Sequence, residues 1–197
     1  MNKLVTTVLT LALLSPLALA RETYRVAEAA TTANLMTVEN QTSFETFTGR
    51  TSRVSGSVVF DAADKTGSAT IVVNGASIQT GNTVRDGHMR GSGWLNFDAR
   101  PDVRFVSTSV KHVEGDTYDV AGNLTMNGVT RPVTTRATVR LTKANDATRA
   151  LGLKGDALAV STKFMVKLSD FGVRNHQIGR QVNDSLTINL QFVASNS

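Results

Sequence analysis

Apolar and polar side chains alternate with a period of two along most of this chain. The run 54–61 shows it clearly, because its even positions are apolar or glycine and its odd positions are mostly polar. Neighbouring residues of a β-strand point to opposite sides of the sheet, so a strand with one buried face has this pattern. The runs 69–73, 103–110, 118–126, 133–141, 158–168 and 186–192 repeat it. With the less regular segments 24–26, 34–39 and 43–47, the chain is predicted to form about eight to ten strands.

Short turns join these predicted strands, at 64–67 and at Asn127–Gly128 among others, as in antiparallel hairpins. The composition agrees, because the chain contains 26 Thr and 23 Val, and β-branched residues favour strands. Cysteine is absent, which excludes disulfides, thiolate metal sites and a cysteine nucleophile. Antiparallel strands with one apolar face each form either a sandwich or a closed barrel. The sequence shows no boundary within this all-β domain, and the polar segment 143–155 is predicted to be a loop inside it.

The first twenty residues have the pattern of a secretory signal peptide. A short basic start that ends at Lys3 precedes the apolar segment 4–19, and small residues stand at Ala18 and Ala20. Cleavage is expected before Arg21, which leaves one domain, 21–197, in the periplasm or outside the cell. The alternative is an uncleaved N-terminal anchor. No later segment is long and apolar enough to be a predicted transmembrane segment.

The positive charge does not indicate a nucleic-acid partner. The formal net charge is +5, or +4 without Lys3, but the basic residues are scattered and no run of five occurs. A surface that binds single-stranded nucleic acid combines basic residues with exposed aromatic rings, and this chain has one Trp and two Tyr. A solvated, mildly basic surface is expected, and no nucleic acid is predicted to bind.

One segment interrupts the alternation. Residues 80–90 carry polar residues suited to a helix cap, followed by apolar Val84 and Met89 among charged residues, and Gly91 follows. This pattern predicts a short helix that ends at Gly91. On such a helix Asp86 and Arg90 lie four residues apart and can form a surface ion pair.

Residues with catalytic or metal-binding chemistry are few. The three histidines, His88, His112 and His176, show no spacing typical of a metal site, and the sequence contains no nucleophile elbow or phosphate-binding glycine loop. No metal, cofactor or catalytic residue is therefore predicted. A small enzyme that acts through Arg85, Asp86 and His88 stays open as a less favoured alternative.

Five motifs, in order, resemble the YceI-like family of secreted lipid- and polyisoprenoid-binding proteins. The resemblance spans about residues 24–194. The segments that carry it are Val54–Asp61, Ala76–Asn82 with Arg85–Arg90, Trp94–Pro101, Leu124–Val133 and Leu168–Val173. It implies a lipocalin-like closed β-barrel of about eight strands with one short helix near its mouth. It also implies an apolar lumen for an isoprenoid or similar lipid, and a homodimer is plausible on the same basis.

The alternation and the resemblance together nominate two groups of ligand-binding residues. The first group has apolar side chains on the inward faces and is expected to line the lumen: Val58, Phe60, Ile71, Val73, Phe105, Tyr118, Val120, Leu124, Val139, Phe164, Ile188 and Leu190. The second group is expected at the mouth, where it would bind a polar head group: Arg85, His88, Met89 and Trp94. Whether the lumen is open or filled by side chains depends on where large and small residues cluster in space. The main alternative function is therefore a structural or stress-related secreted barrel with a filled core and a partner-binding surface.

Overall fold

The protein is described by a computed structural model over residues 21–196. Ten strands form a single antiparallel sheet. They are β1 Glu22–Val26, β2 Leu35–Gln41, β3 Thr46–Thr51, β4 Val54–Asp61, β5 Thr66–Asn74, β6 Asp102–Glu114, β7 Thr117–Met126, β8 Val129–Thr142, β9 Ala157–Lys167 and β10 Ser185–Ser195. The predicted signal peptide, residues 1–20, lies outside the described residues, so its cleavage stays a prediction.

The sheet closes into a barrel with eight strand positions. β1 pairs with β4 on one side and with the end of β10 on the other. The same edge of β10 also pairs with β2. β1 and β2 therefore lie one after the other along β10 and together fill one of the eight strand positions, with a break between them. β3 and β4 form a second interrupted position, because β3 pairs with β2 and β4 pairs with β1. The closed eight-stranded barrel predicted from the family resemblance is confirmed, and the sandwich alternative is not the fold.

The barrel has two differently built ends. The end called the helix end carries the 42–45 turn, the segment 75–101 and the segment 168–184. The opposite end, called the terminal end, carries the 62–65 turn, the 143–156 connection and both the start of β1 and the end of β10. The apolar faces of the strands point into the barrel and form one continuous core. Within residues 21–196 no helix has the length and apolar character needed to cross a bilayer.

The predicted helix forms as α1, Thr83–Arg90. The side chain of Asn82 caps it by accepting hydrogen bonds from the backbone N–H groups of Val84 and Arg85, and the helix ends at Gly91 as expected. The Asp86–Arg90 ion pair that this spacing permits is not formed within residues 21–196. Asp86 Oδ1 instead accepts hydrogen bonds from the backbone N–H and the hydroxyl of Thr80, at 2.9 and 2.7 Å.

Arg90, left without that partner, lies beside Asp98, with Nε and Oδ1 3.8 Å apart. Both new contacts are made with segments that flank the helix. The helical spacing of four residues permits a contact between two side chains, but it does not exclude better partners supplied by the neighbouring chain.

Three other boundaries differ from the predictions. The segment 43–47 is mostly a turn, and β3 begins only at Thr46. β6 continues past residue 110 to Glu114. The prediction ended at residue 110 because register irregularities between Ser107 and Ser109 and between His112 and Glu114 interrupt the alternation of the strand. The loop 143–155 contains one helical turn, α2 Asp146–Ala150.

Candidate ligand-binding site

The centre of the barrel contains an apolar cavity with a volume of about 110 Å³. Its wall includes residues from nearly every strand position, and among the described residues that line it only Ser68, Thr135 and Thr162 have a side-chain oxygen atom. The hydroxyl oxygens of Thr135 and Thr162 lie 2.7 Å apart, and each also lies within hydrogen-bond distance of a backbone carbonyl, that of Lys163 for Thr135 and that of Arg136 for Thr162. These polar atoms are therefore already satisfied, and the cavity presents an apolar surface to any guest.

Eleven of the twelve predicted lumen residues line this cavity. They are Val58, Phe60, Ile71, Val73, Phe105, Val120, Leu124, Val139, Phe164, Ile188 and Leu190. The alternating pattern placed their side chains on the inner face, and whether they contact a ligand stays a prediction.

Tyr118 is the exception. It is buried but lies nearer the terminal end, where its ring meets the rings of Phe60 and His112 edge to face, with centroids 5.9 and 5.2 Å apart. Burial, with a smaller effect from Asp116, raises the pKa of its phenol above the usual value. Tyr118 therefore packs behind Phe60 and does not form part of the cavity wall.

Glycine residues and aromatic rings together set the volume of the cavity. The ring of Phe105 lies directly over Gly122, where an added Cβ would come within 2.3 Å of the ring. An engineered cavity of about 150 Å³ accommodates benzene, so the cavity here has room for a short hydrocarbon segment. A longer chain requires rings such as Phe105 and Phe164 to rotate, and both are only partly buried.

A layer of buried side chains closes the lumen at the helix end. Phe97 and Phe171 are each 1% exposed, and Leu95, Leu168 and Leu186 are also buried. Phe171 reaches this layer from a tight turn, in which a 3-10 turn at Ser169–Phe171 is followed by Gly172 in the left-handed conformation. Gly75 packs against Phe97 so closely that an added Cβ would lie 2.3 Å from its ring.

The four predicted mouth residues line a second cavity outside this layer. This helix-end cleft has a volume of about 480 Å³ and shares no lining residue with the lumen. Arg85, His88, Met89 and Trp94 all lie on its wall, together with His176. The structure therefore brings these four residues together, but separately from the lumen group. Their role as head-group contacts stays a prediction.

Arg85 already has two partners in this cleft. Its Nη2 atom lies 3.1 Å from a carboxylate oxygen of Glu45, and its guanidinium carbon lies 3.9 Å from the centre of the Phe47 ring. A cation stacked on an aromatic face and paired with a carboxylate is well stabilised in place. The alternation of the 43–47 segment gave no indication of either contact.

The described residues do not assemble a metal centre. Within residues 21–196, no group of three or more His, Cys, Asp and Glu side chains is placed to hold a metal ion. Of the residues named for the enzyme alternative, Asp86 is hydrogen-bonded through Oδ1 to Thr80, and no hydrogen bond joins it to His88 within residues 21–196. The barrel therefore has an apolar interior and a separate cleft lined by both polar and apolar side chains.

Comparison with known proteins decides the family. The model of the YceI-like domain matches residues 24–194. The chain belongs to the YceI-like family. This YceI-like chain is 39% identical over 133 residues to a UPF0312 protein of Pseudomonas paraeruginosa, an alignment that covers 64% of the chain. The chain spans about 63% of the length of that relative.

Solved structures with the same barrel support the fold of this YceI-like chain. BcnA of Burkholderia cenocepacia superimposes with a TM-score of 0.71 at 24% identity, covering 84% of this chain and 98% of BcnA. A polyisoprenoid-binding domain from Saccharophagus degradans, implicated in plant cell wall breakdown, superimposes with a TM-score of 0.64 at 17% identity. That match covers 90% of this chain and 100% of the domain. At these identities the similarity establishes the fold.

Proposed function

We propose that this protein binds an isoprenoid or other long apolar lipid chain inside its barrel. The observation that carries the proposal is the central cavity, whose lining is apolar except for two hydrogen-bonded threonines, one serine and one glycine. An eight-stranded barrel is just wide enough to hold one small ligand. The Saccharophagus degradans domain with the same fold is described as polyisoprenoid-binding, which supports the same ligand class here.

The physical basis of binding is the transfer of hydrocarbon from water. Each buried methylene group contributes about 0.8 kcal/mol, so the affinity should rise with the length of chain that enters the lumen. The small volume of the cavity limits this gain in binding free energy. A long chain must displace the Phe105 and Phe164 rings from their present positions, and part of the transfer free energy is used for that rearrangement.

The proposal includes a location outside the cytoplasm, on the basis of the signal-peptide pattern in residues 1–20. A carrier of apolar chains suits that location, because such chains are insoluble in the aqueous space between or outside membranes. A homodimer, which the family resemblance makes plausible, stays a prediction.

Titration with isoprenoids of increasing chain length, at low and high salt, tests the proposal. We expect the affinity to rise with chain length and to change little with salt, since no charged side chain lines the lumen. Ala137→Trp, at a buried lumen position, should weaken binding by blocking the cavity while the barrel still folds. Thr138→Trp is the matched control, because Thr138 is the next residue of β8 and lies in a surface groove.

Two results would contradict the proposal. Affinity that ignores chain length and collapses in salt would place the ligand on the basic surface. A purified protein that binds no apolar chain, and from which organic extraction releases no lipid detectable by mass spectrometry, would favour the structural barrel with a filled core.

A further inference from the structure

Strands β5 and β6 pair along only part of their length. Their register extends from Asn74 and Asp102 at the helix end to Thr70 and Val106, where it stops. Beyond this point β5 continues to Thr66 in pairing with β4, and β6 continues to Glu114 in pairing with β7. Beyond Thr70 and Val106, backbone pairing thus joins each of the two strands to its outer neighbour and not to the other. One hydrogen bond marks the start of the gap, from the backbone N–H of Ala69 to Ser107 Oγ at 2.8 Å.

This unpaired part of the wall borders both the lumen and solvent. Gly67, Ser68 and Ala69 of β5 and Val110 of β6 all line the central cavity, and Ser68 is exposed to solvent at the same time. Within residues 21–196, both ends of the barrel are covered by buried side chains. The layer of buried side chains that contains Phe97 and Phe171 covers the helix end, while Tyr24, Leu153 and Leu158 are buried toward the terminal end. We call the gap between Thr66–Ala69 and Ser107–Val110 the side opening.

Lys65 lies at the rim of the side opening and has no anionic partner there. Among residues 21–196, no carboxylate lies within 4.0 Å of its Nζ atom, which is 3.4 Å from His112 Nε2. His112 Nε2 is also 2.9 Å from the carbonyl oxygen of Gly115. A neutral imidazole nitrogen that donates to this carbonyl cannot accept from Lys65. The Lys65 ammonium therefore keeps hydrogen-bond donors for another oxygen atom.

We propose that the side opening is the entrance through which an apolar chain reaches the lumen, and that Lys65, beside His112, binds an anionic head group at its rim. The inference rests on the proposed lumen function and narrows the ligand to a hydrocarbon chain that ends in a phosphate or a carboxylate. Lys65 is two residues from Gly67 in the cavity wall, and His112 is two residues from Val110, so the head group and the chain can be bound together. An ammonium group is a compact donor suited to either anion.

Blocking the side opening after folding tests the entrance. Since the chain has no cysteine, Ser68→Cys provides a single thiol on the exposed edge of β5 for a bulky maleimide. Stopped-flow fluorescence with cis-parinaric acid, which brightens in an apolar environment, measures the uptake rate. We expect the labelled protein to take up the probe roughly tenfold or more slowly than the unlabelled protein. The same label on Ser92→Cys, an exposed position at the helix end, should leave the rate unchanged.

A disulfide gives a second, reversible test of the entrance. Ala69→Cys with Ser107→Cys joins the strands across the start of the gap, and uptake should be slow when oxidised and recover on reduction. Val72→Cys with Arg104→Cys joins the same strands where they are already paired, and reduction should not change its uptake. Unchanged uptake in both blocked forms, or slower uptake with the Ser92 label, would overturn the side opening as the entrance.

Head-group recognition is tested with farnesyl phosphate, farnesoic acid and farnesol, which share one chain. Lys65→Met should weaken binding of the phosphate and carboxylate by about threefold to tenfold and leave farnesol unchanged. Lys154→Met removes a lysine from an exposed loop position and should change none of the three affinities. Equal losses for all three ligands, or a selective loss in Arg85→Met and none in Lys65→Met, would overturn the head-group site.

The two anion sources give different results. A larger loss for farnesyl phosphate assigns the site to phosphates, and a larger loss for farnesoic acid assigns it to carboxylates. If the proposed lumen function is wrong, the unmodified protein will bind none of the three ligands, a result that differs from either selective loss.

Discussion

At the scale of single residues, Asn34 shows how the barrel wall survives an interruption. Its side chain has no exposed surface and lies between β1 and β2 along the edge of β10. Its Oδ1 accepts a hydrogen bond from the backbone N–H of Val193 at 3.0 Å, and its Nδ2 donates to the carbonyl of Ala27 at 2.7 Å. One amide thus replaces the missing strand pairing, because it carries both a donor and an acceptor.

Replacing Asn34 by Ala should therefore destabilise the protein substantially. The change leaves the Val193 N–H without its partner and removes one of the two hydrogen bonds that the Ala27 carbonyl accepts, the other coming from the backbone N–H of Ala30. We expect the free energy of unfolding to fall by about 2–3 kcal/mol. Urea denaturation measures the difference. Asn123→Ala, at an exposed position of β7, is the control and should cost little. A loss in Asn34→Ala no larger than the loss in the control would show that the amide does not support the wall.

At the scale of elements, the connection between β8 and β9 covers the terminal end of the barrel. Asn145 caps α2 by accepting hydrogen bonds from the backbone of Ala147 and Thr148, and Leu153 is buried behind it. The start of the connection is tied to its end, because Lys143 Nζ lies 2.7 Å from Asp156 Oδ2 and the backbone N–H of Ala144 donates to Asp156 Oδ1. The polar composition of 143–155 indicated a loop but not this closed arrangement.

The Asp156 contacts make this element sensitive to acid. Hydrogen bonds from Lys143 and then from the Ala144 backbone hold the pKa of Asp156 below its ordinary value of 3.8. A carboxylate whose pKa is lowered in the folded state stabilises the fold at pH values above its ordinary pKa. This stabilisation is lost as the pH falls through the lowered pKa. Asp156→Asn should therefore lose less stability than the wild type between about pH 6 and about pH 3. Urea denaturation at both pH values measures this, and Asp64→Asn, which lies in the exposed 62–65 turn, should retain the wild-type dependence.

At the scale of the whole molecule, closure of the barrel depends on its first and last strands. Arg25 pairs with Ser195 and Val26 with Ala194, while the rest of β1 pairs with β4. β1 begins at Glu22, immediately after the predicted cleavage point. Removal of residues 1–20 would thus leave every strand of the barrel complete.

Exported protein should consequently begin at Arg21. Expression of the full-length gene product in a Gram-negative host, followed by intact-mass measurement on the periplasmic fraction, is expected to give the mass of 21–197. A variant with Ala18 and Ala20 both replaced by Arg should accumulate uncleaved, because the small residues needed at the cleavage site are lost. Recovery of protein that still begins at Met1 from the periplasmic fraction of the wild type would contradict the predicted processing.

The sequence by itself determined most of the strand segments, which of their side chains point inward, and that a short helix ends at Gly91. These features depend on local geometry: successive side chains of a strand point to opposite faces, and Asn82 caps its own helix. For the same reason eleven of the twelve nominated lumen residues line the cavity. The five-motif resemblance supplied the family and the barrel, which the alternation alone left undecided between barrel and sandwich.

Only the tertiary structure decided how distant segments meet. Barrel closure joins β1 to β10, the layer that contains Phe97 and Phe171 separates the lumen from the helix-end cleft, and Asp86 selects Thr80 over Arg90. The side opening belongs to the same class, because the side-chain pattern within β5 or within β6 does not show whether the edges of the two strands pair. Pairing and contact between remote segments depend on the positions of both partners in the folded chain, and the period of each strand carries no information about them.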